Sequence, residues 1–158
     1  MKAIAATLIL LLSGFVTNKQ DCKCSPPKPN ETTYQGGNEL VIYKEDEVLR
    51  VVRGVVLQPD LNPMENALVE LFSPPSHKLY DYYHPVRGKI KESKRVAACK
   101  TGADGIFCFG RIPRGQYELR VSKDEFSAWN PTHVFIQVNP RSQRAVNKTV
   151  EVIMKLGT

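Results

Sequence analysis

Thr101-Gly102-Ala103-Asp104-Gly105-Ile106-Phe107-Cys108-Phe109, followed by Ile112-Pro113-Arg114-Gly115-Gln116-Tyr117-Glu118-Leu119-Arg120-Val121, is the stretch that decides the fold. The first run is a four-residue turn, 102–105, opening a strand, with Gly placed where a positive φ costs little. Phe107 and Phe109 then fall on one face of an extended chain and Cys108 on the other. In the second run Pro113 fixes one φ near −65°, and Gly115 is expected to accept the left-handed position of a tight turn. Beyond it Tyr117, Leu119 and Val121 alternate with Glu118 and Arg120, as a half-buried strand requires.

The same pattern extends in both directions. Leu49, Val51, Val52, Val55, Val56 and Leu57 form a first strand that Gly54 interrupts, as a bulge or a close backbone approach would. The turn Pro59-Asp60-Leu61-Asn62-Pro63 ends it, and Ala67–Phe72 is a second strand stopped by Pro74-Pro75. Arg95–Thr101, Gly105–Phe109, Tyr117–Val121, His133–Val138 and Val150–Met154 supply five more, and no segment holds a helical period. Seven short strands with turn signals at close intervals predict an all-β fold, a seven-stranded antiparallel Greek-key β-sandwich.

Outside this body lie two segments of different composition. Met1-Lys2 followed by the apolar run Ala3–Leu12 reads as a signal peptide over residues 1–17, too short to span a bilayer. Residues 18–47 read as an N-terminal tether, with Ser25-Pro26-Pro27-Lys28-Pro29 favouring extended backbone and Gly36-Gly37 adding flexible punctuation. The sandwich is then expected over 48–156, with a polar and aromatic insertion at 73–94. Export implies a secreted or periplasmic protein. The formal charge of +6 drops to about +5 without Lys2, a mildly basic surface that names no partner by itself.

The body resembles the carboxypeptidase regulatory-like domain family, with its transthyretin-like sandwich. The likeness runs from Gly54-Val55-Val56 through Ala67–Leu71 and resumes at Thr101–Phe109 and Ile112–Val121; the insertion and the Cys22-x-Cys24 tail lie outside it. It implies a compact accessory module without an active site. Fold analogy supplies no ligand.

Four cysteines in an exported chain suggest oxidation. With 102–105 as the hairpin loop, Cys99 opposes Cys108, and a disulfide between them is expected if the pair is of the closer type. The competing arrangement joins Cys22 or Cys24 to either. Cys22-x-Cys24 as a metal site would need further ligands, and no His follows nearby. His77, Tyr80, Tyr82, Tyr83 and His84 crowd into eight positions, too close for side chains to converge on one ion. No serine occupies a nucleophile elbow, and His133 is expected as an exposed or edge-strand residue. No enzyme, cofactor or metal is expected.

A binding or structural role remains. Loops this long are often functional, and Tyr80, Tyr82 and Tyr83 beside Arg87, Lys89 and Lys91 combine aromatic anchors with positive charge. Residues 76–91 are therefore the expected working surface, with protein or peptide partners. The alternative is a glycan bound by Trp129 or the loop tyrosines. No nucleic-acid motif accompanies the basic run.

Overall fold

Strand residues that alternate between buried and open positions divide this chain into layers. In the computed structural model, which describes residues 40–75, 92–123 and 128–157, ten strands appear: β1 (Leu40–Leu49), β2 (Arg53–Leu57), β3 (Leu68–Ser73), β4 (Lys94–Lys100), β5 (Ile106–Cys108), β6 (Gly115–Ser122), β7 (Trp129–Asn130), β8 (Thr132–Val138), β9 (Val150–Ile153) and β10 (Lys155–Leu156). Among the described residues there is no helix. A five-stranded sheet, β1-β8-β6-β3-β4, faces a three-stranded one, β5-β2-β9, and β10-β7 form a short ribbon.

The core lies between the two larger sheets. β2 and β9 bury alternate residues, Val56 on one and Val150 and Val152 on the other. They meet Val69, Leu71, Leu119, Val121, Val134 and Ile136 of the larger sheet. Phe107 and Phe109 do share a face: both are buried, with ring centroids 6.2 Å apart. Gly54 is the close approach rather than the bulge. It pairs with Phe107 on one side and Val150 on the other, and a Cβ there would overlap the Val150 carbonyl oxygen and the Phe107 ring.

The sandwich expectation holds, and several of its details change. The described residues hold ten strands, some of only two residues, where seven were expected, and the sheets are mixed, since β1–β8 and β2–β9 run parallel. β1 begins at Leu40, inside the stretch assigned to the tether; its charged half, Lys44–Glu47, hides a strand that pairs with β8. The long first strand is broken after Leu49, so that β1 and β2 join different sheets.

The hairpin expected between Arg95–Thr101 and Gly105–Phe109 does not form. β4 pairs with β3, placing Cys99 opposite Val69, whereas β5 pairs with β2, placing Cys108 opposite Arg53. The 102–105 turn carries the chain from one sheet to the other. Gly105, at φ +66°, donates to the Gly102 carbonyl (2.9 Å) and accepts from the Val56 amide (2.9 Å). The buried Thr101 hydroxyl fixes the turn's approach, donating to Met64 O (2.6 Å) and accepting from Ala67 N (2.9 Å). Gly115 differs from expectation too. Among described glycines only Gly105 has a positive φ; Gly115 opens β6, opposite Val138.

Candidate functional site

Three connections meet at one end of the sandwich, and strand direction alone puts them there. β1, β5 and β8 all finish at this end, and β2, β6 and β9 all start from it. Residues from the β1–β2, β5–β6 and β8–β9 connections enclose a cleft of about 1020 Å³. Its apolar lining includes Val51, Phe109, Ile112, Pro113 and Pro140, and its cations are Arg50, Arg111, Arg114 and Arg141. Among the described residues no carboxylate lines it. All four arginines are exposed, and none forms an ion pair among the described residues.

The walls are tied to the scaffold. Phe109 N donates to Val52 O (2.8 Å), Asn139 N to Leu49 O (2.9 Å) and Arg50 N to Val146 O (3.0 Å). The Arg50 guanidinium also reaches Ala145 O (3.2 Å). The Tyr117 hydroxyl donates to Pro113 O at 2.9 Å, pinning the loop that carries Arg111 and Arg114. Burial pushes the Tyr117 phenol above its ordinary pKa. Arginine donors beside apolar side chains are chemically suited to an anionic group attached to an apolar one.

The expected working surface, 76–91, with Tyr80, Tyr82, Tyr83, Arg87, Lys89 and Lys91, lies outside the described residues. Its roots are described, and they stand at the cleft end. Ser73 pairs with Lys94 where β3 ends and β4 begins, and its hydroxyl donates to Gln116 O (3.4 Å), two residues beyond Arg114. Trp129 is half-buried on β7, opposite Leu156 of β10, and packs against the core.

His133 corrects the expectation of an exposed or edge residue. It lies on the interior strand β8, 2 % exposed, with Nδ1 2.6 Å from Glu118 Oε1. Arg120 pairs with the same oxygen at 3.2 Å and stacks over Phe72 with its guanidinium carbon 4.5 Å from the ring centroid. Glu70 pairs with Arg95 at 2.9 Å. This charged row crosses the face of the larger sheet that points away from the core. Glu118 and His133 are both buried, at 0 % and 2 % exposed, so the charges of this row are met within the protein by one another.

Neither Cys99 nor Cys108 is a free thiol. Cys99 is buried in the core and Cys108, beside inward-facing Phe107, points outward. That geometry removes the basis for joining them to each other. Among the described residues no group of three or more His, Cys, Asp or Glu could hold a metal ion.

The four-arginine cleft was not anticipated. Its arginines come from three connections spread over residues 50–141, so no local motif announces it; the signal in the sequence is their position beside turns. The sequence profile of the carboxypeptidase regulatory-like domain matches residues 51–151, which include all but Arg50 of the four. No curated protein matches the chain.

Proposed function

The chain belongs to the carboxypeptidase regulatory-like domain family, and on that premise we propose that it is an exported, non-enzymatic binding module that takes a protein or peptide at the loop end of its sandwich. The family is a non-catalytic β-sandwich module, so function must reside in what a given member displays on it. The observation that carries the reading is the cleft. Three loops held by backbone hydrogen bonds form its walls, and β-sandwiches commonly present ligand sites at one end in this way. Ser73 and Lys94, at the two ends of the 73–94 insertion, stand at the same end, which supports extending the proposed surface to its Tyr80, Tyr82 and Tyr83. The packing of Trp129 against the core weighs against the glycan alternative, which asks for an open ring face.

Site-directed photocrosslinking in the native host tests this. A photoreactive residue at Arg111 should trap a defined product, and one at Asp60 in the β2–β3 turn at the far end should not. Equal trapping at both positions, or none at Arg111, would end the reading. Fractionation of the same cells tests export: the protein should be found outside the cytoplasm, with its first residues removed.

A further inference from the structure

We infer that the cleft recognises an acidic peptide segment carrying an apolar side chain next to its carboxylates. The inference rests on the binding-module reading and names the chemistry of its ligand. Arg50, Arg111, Arg114 and Arg141 are supplied by three separate connections yet open onto one concavity, and among the described residues no Asp or Glu lines it. Exposed arginines in a mixed surface ordinarily have acidic neighbours. Here carboxylates elsewhere do pair with cations, as Glu70 does with Arg95 and Glu47 with Lys148, while the four cleft arginines have no such partner among the described residues. Their forked donors suit carboxylates bidentately.

The floor decides between kinds of anion. Val51, Phe109, Ile112, Pro113 and Pro140 give the cleft a predominantly apolar lining. A sulfated glycan or a nucleic-acid backbone would leave that floor without a partner, and Phe109, 5 % exposed, offers no ring face for a sugar or base to stack on. An acidic peptide with Leu or Phe beside Glu or Asp satisfies both parts: side chain on the floor, carboxylates on the rim. Charge brings the two together and apolar contact retains them.

The test is fluorescence anisotropy on the full mature chain with a labelled Glu/Leu peptide, its Gln/Leu and Lys/Leu counterparts, and heparin as competitor. Only the Glu/Leu peptide should bind, more weakly as salt rises. The double variant Arg111→Glu/Arg141→Glu should weaken it by about a hundredfold or more. Lys155→Glu, on β10 at the opposite end, should change affinity less than about twofold, because screening confines charge effects to about a Debye length. All these side chains are exposed, so thermal melts should stay close to the parent's and show that the variants fold. Equal loss in Lys155→Glu would show a diffuse charge effect and overturn the site. Gln/Leu binding that matches Glu/Leu would overturn the acidic class while leaving a peptide-binding cleft in place. Tight heparin binding without peptide binding would replace peptide by glycan. Binding of none of these probes would reject the acidic-peptide inference, and the Arg111 crosslink would then report separately on the broader reading.

Discussion

At the scale of single residues, Tyr117 links fold to site most directly. Its ring is buried and its hydroxyl holds Pro113 O at 2.9 Å, so one side chain belongs both to the core and to the cleft wall. Burial disfavours the phenolate and raises the pKa above its ordinary value of 10.0. The sign follows from linkage. A group whose folded pKa is raised gives its full stabilisation below the unfolded pKa, and that contribution is lost as pH climbs through the folded value. Tyr117→Phe should therefore cost about 1 kcal/mol near neutral pH, the usual worth of one hydrogen bond. Above about pH 10 the gap between variant and parent should narrow, because only the parent must hold a neutral phenol. Urea unfolding midpoints measured across that range check it; a gap that stays constant to strongly alkaline pH would show that the phenol does not titrate with unfolding. The contrast between two glycines also belongs to this scale. Gly105 takes the positive φ that its turn predicts, while Gly115 is extended in β6, with room for a Cβ only 3.2 Å from the Tyr117 ring. Gly115 is explained by its neighbour's packing, which local turn chemistry does not encode.

Among the elements, β2 is the one on which the smaller sheet depends, since it pairs with β5 on one edge and β9 on the other. Gly54 lets all three approach: a Cβ would strike the Val150 carbonyl and the Phe107 ring at once. The carbonyl is backbone in a paired strand and cannot rotate away. Gly54→Ala should thus destabilise by about 3 kcal/mol, at the upper end for an overpacked core, whereas Ala would gain backbone entropy in an open strand. A denaturation midpoint equal to the parent's would show that β2 and β9 can separate without loss. The sequence discloses such elements unevenly. β2, β3, β6, β8 and β9 were legible because their apolar residues keep the period of a strand. β1 was not: Lys44-Glu45-Asp46-Glu47 breaks the pattern, and only pairing with β8 shows it to be a strand. Partner choice was equally hidden. Cys99 and Cys108 look like two sides of one hairpin because the turn between them is a good one, yet a turn fixes direction and leaves open which sheet each strand joins. The cleft fails to show for a related reason: its four arginines meet only once strand order is known.

Over the whole molecule the four cysteines decide how the N-terminal segment relates to the sandwich. β4 and β5 are edge strands of the two facing sheets. From β4, Cys99 points into the core; from β5, Cys108 points away from it. Facing sheets lie about 10 Å apart, while a disulfide needs Cα atoms within about 4.4–6.8 Å and Cβ vectors directed at one another. Residues so placed, on strands of different sheets that do not pair with each other and facing opposite ways, are poorly disposed to bond to each other, yet neither is a free thiol. The chain has only two other cysteines, Cys22 and Cys24. Non-reducing peptide mapping should therefore return Cys99 and Cys108 each joined to one member of the Cys22-x-Cys24 pair, the arrangement that competed with a hairpin disulfide on sequence grounds. The first bond would close a loop of roughly 75–85 residues and contribute about 4 kcal/mol on the chain-entropy account. The second, closing only the short loop left between the paired cysteines, would contribute less. The segment before β1 would then be a strap fastened to the open edge of the sandwich rather than a free spacer. Replacing both tail cysteines by Ser should lower the melting midpoint and leave two thiols that react with a maleimide once the protein unfolds. A peptide joining Cys99 to Cys108 would overturn this pairing, and an unchanged melting midpoint would show that the strap carries no stability.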